Sequence, residues 1–91
     1  MKYRFEGTQR FWEKRKALTP RQRASADRAW KIFKENPFDP RLRSHKIHKL
    51  SSQYGRTVFA AVIEGDLRVI FCVEGDRVVS MDIGSHDVYR G

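Results

Sequence analysis

The first half of the chain spaces its apolar residues with a helical period. A short strand is predicted over residues 2–6 and ends at Gly7. Residues 8–18 then predict a first helix, because the hydroxyl of Thr8 suits a helix N-cap. The apolar stripe of this helix is weak and consists of Phe11, Trp12 and Leu18.

A second helix has a clearer start. Thr19-Pro20-Arg21-Gln22 combines a threonine N-cap, a proline in the first turn and a glutamine placed for a capping box. Asn36-Pro37 ends the helix, because a residue before proline disfavours helical backbone. Apolar residues at i, i+3, i+4 and i+7 form one face, namely Ala26, Ala29, Trp30 and Phe33.

Three apolar runs in the second half predict strands over residues 56–63, 67–73 and 77–83. Glu-Gly-Asp separates them twice, and Gly-Asp at such a position favours a two-residue type II′ turn. The predicted fold class is therefore α+β. It has a short N-terminal strand, two helices and a three-strand antiparallel meander in one sheet, with the helices packed on one face.

Two-residue turns also predict which residues face each other. In a regular ladder Ile63 and Ile83 lie opposite Arg68, and Ala61 lies opposite Ile70, so Arg68 stands among apolar neighbours. Two helices cover only one sheet face, and the other is expected to be an open, partly apolar shelf. A slip of one residue would exchange the two faces.

Length and charge limit the possible functions. The 91 residues form a single domain, 1–91, and their longest apolar run, residues 58–63, is far below the roughly 20 residues of a bilayer-spanning helix. The start has no apolar signal region and Cys72 is the only cysteine, which favours a cytoplasmic protein without membrane association.

The positive charge is concentrated in the first half. The net charge is +8, with 15 basic and 5 acidic residues in 1–49 against 4 and 6 in 50–91. This distribution favours a polyanionic partner, above all nucleic acid. An anionic membrane, an acidic protein and a merely soluble basic surface are the alternatives.

Three residues near the end of the sheet are candidates for chemistry. Arg68 is unfavourable among isoleucines unless its guanidinium reaches the rim or an anion, so a rim residue and a phosphate clamp are both compatible. His86 and Tyr89 follow the last strand, where an imidazole can transfer protons and a phenol can stack on a base. A simple capped strand end is the alternative.

Residues 37–54 predict a long basic connector without regular structure. Its segment 45–50, His-Lys-Ile-His-Lys-Leu, places two imidazoles and two ammonium groups close together, most simply as a solvated loop. No metal site is predicted, because His45, His48 and His86 lack a fourth ligand and a recognised spacing.

These motifs, in this order, resemble the RelE/ParE superfamily of toxins from type II toxin–antitoxin systems, in particular the RelE/YafQ-like branch. The similarity spans residues 11–89. It rests on the basic β-α-α front, the Asn-Pro connector and three short motifs, which are His48-Lys49-Leu50, Leu67-Arg68-Val69-Ile70-Phe71 and the compressed end Gly84-Ser85-His86-Asp87-Val88-Tyr89.

The resemblance implies roles for individual residues. Arg68 matches the phosphate-contacting arginine, His86 the basic position after the last strand, and Tyr89 the terminal aromatic residue. His48 and Asp66 match the acid/base residues of YafQ-like members. RNA binding falls to Arg43, His45, Lys46 and Lys49 of the connector. The RelE lysines on the strand before Arg68 are missing, since the matching positions are Phe59 and Ala61.

The implied activity is cleavage of mRNA in the ribosomal A site. The RNA 2′-hydroxyl attacks its adjacent phosphate, which needs a base, an acid and a stabiliser of charge but no cofactor. The implied partners are mRNA, the ribosome and a cognate antitoxin, the last in a hetero-oligomer. A ParE-like inhibitor of DNA gyrase and a non-catalytic binding protein of the same fold are the alternatives.

Overall fold

The computed structural model describes residues 3–85, which form three helices and five strands. In chain order these are β1 (Arg4–Gly7), α1 (Gln9–Lys16), α2 (Pro20–Phe33), β2 (His45–Lys46), α3 (His48–Tyr54), β3 (Val58–Glu64), β4 (Leu67–Glu74) and β5 (Arg77–Gly84). A 3-10 turn, Pro40–Leu42, lies between α2 and β2. Within residues 3–85, every helix is too short or too polar to cross a membrane.

Both predicted helix starts are confirmed by their caps. The hydroxyl of Thr8 accepts a hydrogen bond from the backbone N–H of Phe11 at 3.2 Å. At the start of α2, the Thr19 hydroxyl accepts from the Gln22 backbone at 3.1 Å, and the Gln22 side chain accepts from the Thr19 backbone at 2.9 Å. This reciprocal pair is the predicted capping box.

The five strands form one mixed sheet in the order β1-β5-β4-β3-β2. The antiparallel meander β3-β4-β5 is confirmed. At one edge β1 pairs parallel with β5, and at the other β2 pairs antiparallel with β3. The predicted sheet lacked β2, because a strand of two residues leaves no period-2 pattern to detect.

Both Gly-Asp pairs form the predicted tight turns. Gly65 and Gly75 have positive φ values of 45° and 62°, whereas the aspartates that follow them do not. A positive φ at the first turn residue alone fits type II′ and excludes type I′. The first ladder pairs beyond the turns therefore agree with the predicted register, for example Glu74 opposite Arg77.

Further along, each hairpin slips by one residue at a β-bulge. Ile63 is the extra residue of β3, so Val62 rather than Ile63 lies opposite Arg68. The predicted Ile63–Arg68 pair is therefore wrong. Because one residue of slip reverses the side-chain direction, the bulge sends Ala61 and Ile63 to the face opposite Arg68.

A second bulge lies in β5. Met81 is its extra residue, and Gly84 rather than Ile83 lies opposite Arg68. The predicted Arg68–Ile83 pair is wrong for the same reason. Ile83 lies opposite Val69 instead and packs with Ala26 of α2 and with Leu67.

Helices cover both faces of the sheet, which corrects the prediction that they pack on one. On one face α1 packs on β5 and α2 on β3, over a core that contains Phe33, Leu42, Ala61, Val69, Phe71 and Val78. On the other, α3 packs through Leu50 on Val58, Ala60 and Ile70. The predicted open shelf is thus partly covered, and we call this second side the α3 face.

Candidate nucleic-acid interface

Arg68 lies on the α3 face near the start of β4. Residues two apart on a strand share a face, so Arg68 lies on the same side as Ile70, which packs beneath α3. Its guanidinium Nη1 donates to the carbonyl oxygens of Gly65 at 2.7 Å and Leu67 at 3.3 Å. Among the described residues no carboxylate forms an ion pair with it. The half-buried guanidinium is therefore not neutralised by a carboxylate within residues 3–85.

The strand end beside Arg68 leads into the C-terminal motif. Gly84, the last residue of β5, pairs directly with Arg68 and contributes no side chain that would cover it. From Gly84 the sequence continues through Ser85 to His86. His86 and Tyr89 lie outside the described residues, and their predicted roles stay predictions.

The segment predicted as an irregular connector contains the helix α3, which is held on the sheet by two contacts. Leu50 is 1% exposed and packs on β3 and β4. The Ser51 hydroxyl donates to the carbonyl of Ile47 at 2.8 Å and accepts from the backbone N–H of Val58 at 2.9 Å. A seven-residue helix is not stable alone, so these contacts determine where its residues lie.

Basic residues of this segment are exposed around α3. His48 and Lys49 form its first turn, and His45 and Lys46 form β2 just before it. His45 lies opposite Ala60. From the spacing of strands and residues, the Cα atoms of His45 and Arg68 are about 12 Å apart. His45 and the helix α3 therefore belong to the same side of the sheet as Arg68, whereas Lys46, which lies opposite Phe59, belongs to the other side.

Arg43 precedes this segment in an uncommon backbone conformation. It follows the 3-10 turn with φ 49° and ψ 39°, the left-handed region, and is exposed. Its carbonyl lies 3.0 Å from Nδ1 of His45. Buried Leu42 anchors the turn, so the exposed arginine is held beside β2.

Asp66 lies in the β3–β4 turn, next to the Gly65 carbonyl that Arg68 contacts, and is exposed. The junction of α3 with β3, at Val58, lies at the other end of β3. Asp66 is thus brought near the backbone around Arg68, whereas His48 approaches the α3 face from the opposite end of the strand.

Phe59 and Ala61, the positions matched to the RelE lysines, face away from Arg68. Ala61 is 1% exposed in the core beneath α1 and α2, and Phe59 packs against the same core. On the α3 face β3 carries Val58, Ala60 and Val62 instead. Neither the predicted nor the observed pairing of β3 with β4 places a lysine of β3 beside Arg68.

Sequence reasoning assigned no role to Ser51 and so missed that it attaches α3 to β3. No sequence signal points to that role, because its partner Val58 is contacted only in the folded chain. Within residues 3–85 no three potential metal ligands cluster, and His86 of the histidine set lies outside that range.

Comparisons with known proteins establish the fold. No protein-family model matches the sequence, and no curated protein matches it. The structure is similar to YafQ from E. coli strain BL21(DE3), with 17% identity, a TM-score of 0.75, and coverage of 99% of this chain and 100% of that chain. The E. coli DinJ–YafQ toxin–antitoxin complex gives 15% identity, a TM-score of 0.76 and full coverage of both chains.

An archaeal relative extends the comparison. The RelE–RelB complex from Pyrococcus horikoshii OT3 shows 15% identity and a TM-score of 0.71, over 93% of this chain and 96% of that chain. At these identities the similarity concerns the fold. The chain has the RelE-like fold that its motifs predicted, which YafQ and RelE share.

Proposed function

We propose that this chain is the toxin of a type II toxin–antitoxin system and cleaves mRNA on the ribosome. One observation carries the proposal, namely the Arg68 guanidinium, which forms no ion pair within residues 3–85 and lies on a face that also presents His45 and the helix α3. The fold shared with structures described as YafQ and RelE toxins supports it. The corresponding partner is an antitoxin, bound in a hetero-oligomer in the cytoplasm.

The proposed reaction is attack of an RNA 2′-hydroxyl on the adjacent phosphate. The phosphorus gains a fifth oxygen and the 5′-oxygen leaves with a proton, so charge builds on the phosphoryl oxygens. Arg68 stabilises that charge, while His48 and His86 transfer the protons and Tyr89 stacks on a base. Asp66 is a second candidate for proton transfer. Contacts to neighbouring phosphates come from Arg43, His45, Lys46 and Lys49.

A specific observation favours one alternative, the non-catalytic inhibition of DNA gyrase. The part of β3 on the α3 face is aliphatic, with Val58, Ala60 and Val62, so lysine-assisted cleavage has no support from this strand. A protein that only binds needs no such lysine. The two functions differ in whether RNA is cut.

Replacing Arg68 by alanine tests the proposal. We expect cleavage of ribosome-bound mRNA to fall about 10²- to 10³-fold, as when one preorganised donor to a developing oxyanion is removed. Growth of the expressing cells should recover. The fold should persist, because the hydrogen bonds of the Arg68 guanidinium within residues 3–85 go only to two carbonyls near the β3–β4 turn.

The matched control is Arg21→Ala, which removes the same charge from an exposed position on α2, across the sheet. We expect this variant to cleave mRNA like the parent. If Arg68→Ala cleaves at the parental rate, the site assignment is wrong. Arrested growth with intact mRNA and halted replication would establish the gyrase alternative.

A further inference from the structure

The outer side of β1 is an open sheet edge. In the order β1-β5-β4-β3-β2 this strand is terminal, and within residues 3–85 no strand pairs with its second side. The backbone N–H groups of Arg4 and Thr8 donate toward β5, to carbonyls at 2.7 Å and 2.9 Å. Because the bonding direction alternates along a strand, Phe5 and Gly7 direct their N–H and carbonyl groups outward. These outward groups are a template for another strand.

Two half-exposed tryptophans lie along this edge, on the face that α1 and α2 cover. Trp30 of α2 packs edge-on against Phe5, with ring centroids 5.2 Å apart. Trp12 of α1 lies against Gly7, since a Cβ at that residue would be 2.7 Å from the indole Nε1. The exposed fractions of Trp12 and Trp30 are 50% and 43%. Large aromatic side chains that are held in place yet half exposed are typical of surfaces that bind proteins.

The charges along this edge balance, although the whole chain carries +8. Exposed Arg4 pairs with Asp76 at 3.2 Å, and exposed Glu6 pairs with Arg77 at 2.7 Å. The hydrogen bond from Arg77 lowers the pKa of Glu6 and keeps its carboxylate ionised. A neutral strip attracts a polyanion less than the basic helices do, so it favours contact with a protein over contact with nucleic acid.

The order of charges along β1 is complementary to itself. Suppose that a second β1 pairs antiparallel with the first, about a two-fold axis at Phe5. The two Phe5 residues then exchange both backbone hydrogen bonds, as their outward groups require. Arg4 of each copy lies opposite Glu6 of the other, about 5 Å away between Cβ atoms, close enough for an ion pair. Moving the axis by one residue would instead place two Arg4 or two Glu6 side chains opposite each other.

We infer that the β1 edge binds a second copy of this chain through antiparallel β1 strands centred on Phe5. The two five-stranded sheets join into one, and the tryptophans of both copies lie beside the joint. The contact uses the same surface on both copies, so it closes as a dimer and does not grow into a filament. Repulsion between the two positive chains is largely screened beyond about 8 Å at physiological ionic strength. The inference goes beyond the proposed function and does not depend on RNA cleavage.

Sedimentation equilibrium of the full chain, treated with nuclease to remove bound RNA, tests the dimer. We expect a reversible monomer–dimer equilibrium at about 0.15 M salt. Arg4→Glu places a like charge opposite Glu6 of the other copy, and Glu6→Arg places a like charge opposite Arg4. Each variant alone should dimerise about tenfold more weakly, equivalent to about 1.4 kcal/mol. An equimolar mixture should form a heterodimer as stable as the parent dimer, because each new side chain then faces an opposite charge.

Arg21→Glu is the matched control. It makes the same change of charge as Arg4→Glu at an exposed position in the first turn of α2. The contacts of α2 with β1 come from Trp30 and Phe33 near the other end of the helix. This variant should therefore dimerise at least as tightly as the parent.

Hydrogen exchange of the parent gives a test that needs no variant. The outward amides of Phe5 and Gly7 should exchange more slowly as the protein concentration rises, because the second copy accepts hydrogen bonds from them. The amide of Thr8 donates to the carbonyl of Ser80 within the chain, so its exchange should not change. If circular dichroism shows that Arg4→Glu or Glu6→Arg is unfolded, this comparison decides the question.

Several outcomes would overturn the inference. These are a parent that stays monomeric at every concentration at which it is soluble, charge variants that dimerise like the parent, or a mixture that associates no better than its components. Association that disappears after nuclease treatment would assign it to bridging by RNA. Slow exchange of the Phe5 amide only when an antitoxin protein is added would assign the edge to that protein. Cleavage of mRNA by the parent, measured separately, affects none of these results.

Discussion

Truncating Leu50 to alanine should detach α3 and so tests how the basic segment is positioned. The Leu50 side chain is 1% exposed and packs on Val58, Ala60 and Ile70. Losing its burial and leaving a partly collapsed cavity costs about 3 kcal/mol. Because α3 has seven residues, it cannot offset this loss by intrinsic helix stability.

The measurement is urea unfolding followed by circular dichroism, together with hydrogen exchange of the α3 amides. For a domain of this size, about 3 kcal/mol lowers Tm by roughly 15 °C. The chain should still fold, because the core beneath α1 and α2 is unchanged. Exchange should accelerate in α3 before it accelerates in β4. The control is Lys49→Ala, which truncates the neighbouring exposed side chain and should cost less than about 0.5 kcal/mol.

A loss of less than about 1 kcal/mol with the α3 amides still protected would refute this reasoning. It would mean that the Ser51 hydrogen bonds, rather than the Leu50 contacts, hold the helix on β3. Equal losses for Leu50→Ala and Lys49→Ala would have the same meaning.

Two further predictions concern carboxylates. Asp82 is 8% exposed, accepts hydrogen bonds from Arg10 at 3.2 Å and from the Ile83 backbone at 2.9 Å, and forms an ion pair with Lys14 at 3.0 Å. Asp82→Ala should therefore lower the free energy of unfolding, measured by urea titration, by about 2 kcal/mol. An unchanged urea midpoint would show that this carboxylate does not tether α1 to β5. Hydrogen bonds from Arg41 lower the pKa of Asp39 to about 2, so its stabilisation is complete above its ordinary pKa of 3.8 and is lost as pH falls through 2. Asp39→Asn should therefore lose less stability than the parent between pH 4 and pH 2, and identical acid profiles would contradict the assignment.

Local signals predicted the helix starts and the turns, because the atoms that make them are close in sequence. Thr8 and the Thr19–Gln22 pair bond within three residues, and Gly65 adopts its positive φ within a two-residue turn. Such features need no knowledge of the rest of the fold. The order of the elements other than β2 and α3 followed from these signals.

The bulges and α3 were not predictable in the same way. Ile63 is the last residue of an apolar run and Met81 lies between Ser80 and Asp82, and neither is a glycine or a proline that would mark an extra residue. In α3 the only buried residue is Leu50, which leaves no helical stripe to recognise. Its helix depends on contacts with β3, which are made only in the folded chain.

The candidate site was accordingly predicted in part. Arg68 stands out in the sequence as a cation within an apolar strand, and it does lie on the α3 face. Its predicted neighbours were wrong, because one bulge exchanged Ile63 for Val62 and a second exchanged Ile83 for Gly84 beside it. The position of the basic connector over the same face required α3, which the sequence pattern did not indicate.

The parallel pairing of β1 with β5 has a consequence for synthesis of the protein. Arg4 pairs with Arg77, and Gly7 with Ser80, so the first strand finds its neighbour only after more than 70 further residues have been made. The sheet is therefore completed only after β5 has been made, and the contacts that close it are long-range ones that form slowly. Until then the emerging chain holds its first strand without a hydrogen-bonded neighbour.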